Sequence, residues 1–260
     1  MSRKVRIESA GFHHIYNRGV EKRLIFKDDL DKDKFLDILD ETSILYGFTV
    51  HAYALMDNHY HILLENTEEN LSCGMRQINA KYAQYFNKKY KRVGHLWQDR
   101  FKSWYVFDDN YLFTLFKYIE FNPVKAKITK EIGEYKYAIS HNIKENKLKE
   151  CMKKTFVLEW YSTPRSILEM INLKVTKLDI AKIDRFKKEV ISYKKDPKQA
   201  TKNENISDYF NNNLTKNERN KQILKAYRDH FSQSEIAKFL DLSISTISKI
   251  IKIQNSTPDP

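Results

Sequence analysis

The stretch YALMDNHYHILLEN, residues 53–66, carries His59 and His61 on either side of one tyrosine, in a run rich in strand formers. Alternate residues of a strand project to the same side, so both imidazoles share one face of a sheet. Three chemistries suit such a pair: ordinary polar residues on a half-exposed sheet, two ligands of a zinc site, or a seat for a divalent ion that polarises a phosphate. A second stretch narrows the choice. In FKYIEFNPVKA, residues 116–126, Tyr118 and Asn122 stand one helical turn apart on the same face. That face is turned from the buried stripe, which puts the tyrosine ring at the rim of the core with its hydroxyl toward an opening. A phenol ionises near pH 10 and needs activation before it attacks anything. Asn122 offers an amide oxygen. Two imidazoles and one amide oxygen leave coordination positions open for phosphate oxygens and water, as a Lewis-acid site requires. Tyr111 is a rival nucleophile on a similar face, but the one-turn relation to Asn122 favours Tyr118.

The elements that must position these groups are legible in part. GFHHIYNRGV (11–20) reads as a strand, and 31–46 as a helix with Phe35, Ile38, Leu39, Leu45 and Tyr46 at helical spacing and Gly47 as its stop. FTVHAYALM and HYHILLE read as two strands joined by a tight turn at Asp57-Asn58. Leu71, Met75, Ile78, Tyr82 and Phe86 mark a second helix, and KSWYVF (102–107) a short strand. Asp108 or Asp109 caps a third helix with the stripe Leu112, Leu115, Phe116 and Ile119. Its end is expected near Asn122, because Pro123 disfavours the helical conformation in the residue before it. Strand, helix, strand, strand, helix, strand is the order of a ferredoxin-like α+β sandwich, an antiparallel sheet with helices on one face.

Three segments follow from these signals. Residues 1–130 form the catalytic domain. Residues 131–215 form an irregular or helical connecting region rich in lysine and asparagine, with a linker at 193–207. Residues 216–255 form a helix-turn-helix. In SQSEIAKFLDLSISTISKIIK (232–252), Ile236, Ala237 and Leu240 define one helix and Asp241-Leu242 a turn. Ser243 caps a second helix with Ile244, Ile247, Ile250 and Ile251 inward. Ser245, Thr246, Ser248, Lys249 and Lys252 then face outward, where such a helix meets the major groove of duplex DNA. A helical hairpin used for packing or dimerisation has the same spacing.

Three motifs in this order, MDNHYHILLE, GHLWQDRFKS and YIEFNPVKA, strongly resemble the REP-associated tyrosine transposases, relatives of the single-tyrosine HUH transposases. The resemblance covers about residues 3–130, and Tyr60 keeps the bulky position between the two histidines. It implies that His59, His61 and Asn122 bind Mg²⁺ or Mn²⁺ and that Tyr118 is the nucleophile. It also implies a 5′-phosphotyrosine intermediate and a substrate of single-stranded DNA beside imperfect hairpins. Arg18 and His14 resemble positions near bound DNA. Arg100 and Lys102 suit its backbone, and His95 and Trp97 its unpaired bases. Core packing is the competing reading of Trp97.

Composition agrees with a polyanionic partner. Net charge is +12, and between Lys81 and Trp104 seven basic residues stand against one acidic, interleaved with seven aromatic rings. Basic groups bind phosphates by releasing counterions, and flat rings stack on unpaired bases. A solvated helix face over an aromatic core is the plainer account of the same stretch. No apolar run reaches the ~18 residues of a membrane span, and the N-terminal residues lack the apolar core of a secretory signal, so a cytoplasmic protein is expected. Cys73 and Cys151 support neither a disulfide framework nor a cysteine zinc site. Six glycines nowhere form a P-loop. A homodimer stays open, as does a non-catalytic regulator that kept the fold and binds hairpin DNA, or an enzyme acting on RNA.

Overall fold

The computed structural model describes residues 7–106, 109–160, 181, 206–210, 214–228, 231, 233–243, 246, 247, 250 and 251. They fall into two compact units, divided between residues 191 and 192.

The first unit is built on a four-stranded antiparallel sheet of β1 (Gly11–Arg18), β2 (Phe48–Met56), β3 (His59–Asn66) and β4 (Lys102–Tyr105), in the order β2-β3-β1-β4. β2 and β3 form a hairpin around Asp57 and Asn58, with Met56 opposite His59. The turn is held from outside. Its Asp57 carbonyl accepts from the N–H groups of Ile25 and Phe26, and its Asn58 carbonyl from that of Gly19. Gly19 is required where its own loop folds back on it, since a Cβ there would lie 2.2 Å from the Arg23 carbonyl oxygen.

Helices α1 (Asp29–Tyr46) and α2 (Leu71–Lys89) cover one face. On that face Tyr60 packs its ring against Phe35 and Trp97 and donates its hydroxyl to Asn79 Oδ1. The side chain of Asp28 caps α1 by accepting from the Asp31 N–H, and Gly47 ends it in the left-handed conformation, φ 69°. The stripe Leu71, Met75, Ile78, Tyr82 and Phe86 of α2 is buried throughout.

The antiparallel α+β sheet is the one expected, with one refinement: α3 (Asp109–Lys125) lies against the opposite face, on β2 and β3. β2 demands this. From Val50 to Met56 every residue is buried, so the strand needs cover on both sides. α3 supplies it with Leu112, Leu115, Phe116 and Ile119.

α3 also continues past Asn122 to Lys125 with Pro123 inside it, which corrects the expected end. A proline removes one N–H from the helical ladder and leaves the carbonyl four residues earlier, here that of Ile119, without its usual donor. The Asn122 side chain replaces it: Nδ2 donates to the carbonyls of Ile119 at 3.2 Å and Tyr118 at 2.7 Å. The helix stops where Lys127 turns left-handed, φ 59°, with Ile128 N–H bonded to the Pro123 carbonyl.

The boundary at residue 130 is a further correction. Tyr137, Ile139, Cys151, Met152, Phe156 and Val157 are buried in the same core. They lie on or beside α4 (Ile139–Lys144), a 3-10 turn at Glu150–Met152, and α5 (Phe156–Trp160). Leu55 N–H bonds to the Tyr137 carbonyl, so this segment covers the outer edge of β2.

In the second unit, α6 (Lys216–Arg228) begins with a capping box: Thr215 Oγ1 faces the Glu218 N–H at 3.4 Å, and Glu218 Oε2 accepts from the Thr215 N–H at 2.8 Å. α7 (Gln233–Leu240) ends at Asp241, whose φ is 53°. Ser243 Oγ then accepts from the Thr246 N–H at 3.1 Å, and residues 246, 247, 250 and 251 are helical. Ile223, Ile236, Ala237, Ile247 and Ile251 are buried together. Ile244, Ser245, Ser248, Lys249 and Lys252 lie outside the described residues, as does 193–205 of the expected linker.

Candidate active site

Cross-strand neighbours project to the same face of a sheet, and the register therefore assembles the site in rows. His59 stands opposite Arg18; His61 opposite Tyr16, which stands opposite Lys102; Leu63 opposite His14, which stands opposite Trp104. All share the face covered by α3. The imidazoles of His59 and His61 lie 5.3 Å apart between ring centres, and Tyr118 of α3 sets its ring edge-on to His61 at 5.8 Å and to His14 at 6.3 Å. Tyr118 and the two histidines thus share one face of the sheet. Tyr111, the rival, is only 7 % exposed, whereas Tyr118 is half-buried.

His59 is prepared as a neutral donor. Burial lowers its pKa to about 4, helped by the positive charge of Arg18 and opposed by Asp57. Its Nδ1 lies 2.6 Å from Asn58 Oδ1, and the same Asn58 donates Nδ2 to the Lys22 carbonyl, which fixes its amide orientation. An amide oxygen only accepts, so His59 Nδ1 carries the proton and the lone pair resides on Nε2. His61 is 6 % exposed, and its Nδ1 lies 3.0 Å from Nε2 of His14. Asn122 has its amide nitrogen committed to the helix, leaving Oδ1 as its donor atom. Neutral imidazole and amide oxygen suit a divalent cation that also takes phosphate oxygens. Among the described residues no three His, Cys, Asp or Glu side chains group as a metal site.

The groups expected to touch DNA separate into two sets. Arg18 and Lys102 lie on the site's face, Lys102 exposed and Arg18 half-buried; Arg100 is exposed just before β4. His14 is 1 % exposed and sits behind His61 against Trp104, which corrects its expected place beside DNA. Trp97 donates its indole N–H to the Asn79 carbonyl at 2.9 Å and packs on Tyr60 and Tyr82, the core reading. Most rings of the basic-aromatic stretch do likewise. Tyr82, Phe86 and Phe101 are buried, and the hydroxyls of Tyr85 and Tyr90 donate to Asp31. Lys89 is ion-paired with Asp28 and Asp31. In the second unit Thr246 is half-buried, while Ser245 and Lys249 are outside the described residues.

Tyr16 was not singled out by the sequence reasoning, yet its ring lies 5.0 Å from His61 and 5.6 Å from His59. Alternation along β1, from His14 through Tyr16 to Arg18, is the signal that finds it, once β1 is known to pair with β3.

Residues 10–122 match the family model described as "Transposase IS200 like". Among solved structures, one of a REP-associated tyrosine transposase bound to a REP hairpin aligns at 18% identity and a TM-score of 0.45, covering 55% of this chain and 84% of that one. A protein of Deinococcus radiodurans R1 assigned as a transposase aligns at 17% identity and a TM-score of 0.34, covering 46% and 96%. No curated protein matches the chain.

Proposed function

We propose that this chain, whose residues 10–122 match the family model described as "Transposase IS200 like", is a divalent-metal-dependent DNA strand transferase acting on single-stranded DNA beside hairpins. The observation that carries the reading is the placement of Tyr118 5.8 Å, ring to ring, from His61 on the face that also holds His59. His59, His61 and Asn122 would hold Mg²⁺ or Mn²⁺, which when bound supplies Lewis-acid polarisation of the scissile phosphodiester.

The remaining work belongs to the chain itself. Arg18 and Lys102 set positive charge along the face where the backbone must lie. The Tyr118 oxygen attacks phosphorus, its O–P bond forms as the P–O3′ bond breaks, and the phenolic proton is released. The products are a 5′-phosphotyrosine on Tyr118 and a free 3′-hydroxyl. One phosphodiester replaces another of similar energy, so resealing runs back through the same atoms without nucleotide hydrolysis.

The second unit, in this reading, is a helix-turn-helix that binds a duplex DNA site. Ser243 starts its groove-facing helix, and Thr246, with Ser245 and Lys249 by the sequence pattern alone, would meet the DNA. Support comes from the Ser243 cap and the buried Ala237, Ile247 and Ile251.

Incubation with 5′- and 3′-labelled hairpin oligonucleotides taken from DNA flanking the gene tests the enzyme directly. An SDS-resistant adduct is expected with Mg²⁺ or Mn²⁺, absent with chelator and absent for Tyr118→Phe. Equal adduct from Tyr118→Phe would refute the nucleophile assignment. Hairpin binding with no adduct under any metal would leave a DNA-binding protein, and adduct on ribo- but not deoxyoligonucleotides an RNA enzyme.

A further inference from the structure

His14 has no part in the chemistry set out above, and its burial removes it from the DNA. Its contacts are nevertheless specific. Nε2 of His14 and Nδ1 of His61 are 3.0 Å apart, with ring planes inclined by 24°. Trp104 lies against the His14 ring at 5.2 Å, and Tyr118 meets both imidazoles edge-on, at 79° to His14 and 84° to His61.

Two imidazole nitrogens at this separation hydrogen-bond only if one carries a proton and the other a lone pair. The two arrangements have opposite consequences. If His14 Nε2–H donates, His61 Nδ1 is the acceptor, the remaining proton of neutral His61 sits on Nε2, and that nitrogen cannot ligate. If His61 Nδ1–H donates, His61 Nε2 keeps its lone pair. His59 shows the matching arrangement, its Nδ1–H directed to Asn58 Oδ1. Partners of this kind fix the tautomer and ring angle of metal-binding histidines.

We propose that His14 is a positioning residue: its Nε2 accepts the Nδ1 proton of His61, which holds the Nε2 lone pair of His61 ready for the cation and props the ring on which Tyr118 rests. The cation in this statement rests on the function proposed above; the hydrogen bond does not.

The experiment uses the full chain and reads two quantities. Long-range ¹H–¹⁵N spectra of histidine-labelled protein, without metal, report which ring nitrogen of His61 carries the proton. Titration with Mn²⁺ alone, followed by electron paramagnetic resonance of the free ion, reports affinity. Wild-type protein is expected to show His61 protonated on Nδ1. His14→Phe, which keeps a flat ring against Trp104 but offers no acceptor, is expected to shift His61 toward the Nε2–H form and to weaken Mn²⁺ binding about 10- to 100-fold. His14→Gln, with an amide oxygen as acceptor, is expected to recover most of both. A wild-type His61 protonated on Nε2 overturns the proposal without any variant. Unchanged tautomer and affinity in His14→Phe overturn it as well. A wild-type protein that binds no Mn²⁺ defeats the metal reading, while the tautomer measurement still decides the role of His14.

Discussion

His59 owes its low pKa first to burial and then to Arg18, the residue opposite it on β1. Arg18→Gln is therefore expected to raise that pKa from about 4 toward the ordinary 6.5, read by an NMR titration of the His59 ring. An unmoved titration curve would assign the whole effect to desolvation. The linkage has a definite sign. The folded state disfavours the imidazolium, so the stability His59 contributes is present above pH 6.5 and lost as pH falls toward 4. At this scale the sequence is most informative where the spacing is short. Alternation finds His59 with His61, and the helical turn finds Tyr118 with Asn122. Tyr16 and the partnership of His14 with His61 depend on the register of β1 against β3, a long-range pairing that no local pattern encodes. Trp97 had two readings for a related reason: an aromatic among lysines looks the same whether it stacks on a base or on Tyr60.

Within α3, Asn122 and Pro123 form a coupled pair. Asn122→Ala removes the donor that serves the Ile119 and Tyr118 carbonyls and is expected to cost roughly 1–2 kcal/mol, at about 1 kcal/mol per hydrogen bond. In a Pro123→Ala background the restored backbone N–H can serve Ile119, so the same change should cost about half as much. Urea denaturation of the four proteins measures this, and strictly additive costs would show that the two positions are independent. On the core side of the same helix, Glu120 is fully buried, and desolvation raises its pKa to about 7 although Ser140 donates to it. The folded state holds this proton more tightly than the unfolded chain. Its stability is therefore full below pH 4.5 and declines as pH rises through 7, by on the order of 3 kcal/mol. Glu120→Gln should flatten that slope in thermal melts taken at successive pH values; an unchanged slope places the titration elsewhere. Apolar stripes made α1, α2 and α3 legible. The end of α3 was not, because a side chain substituted for the missing backbone donor.

For the molecule as a whole, the division between residues 191 and 192 makes the two DNA-directed proposals separable. A chain ending at Ile191 is expected to keep adduct formation on hairpin DNA and to lose duplex binding in gel shifts at moderate salt. Unchanged duplex affinity would return the second unit to a packing or dimerisation role. The extent of the first unit was hidden in the sequence because Tyr137, Ile139, Cys151, Met152 and Phe156 arrive in scattered short groups among lysines and asparagines, without the periodicity that announces an element. Their burial follows from the open edge and outer face of β2, which something had to cover.

Tyr118 and the twin imidazoles belong to one polypeptide. On the proposed chemistry, the severed 5′ end therefore stays joined to the same polypeptide whose imidazoles face the break. A strand held this way cannot drift off while its far end searches for a target.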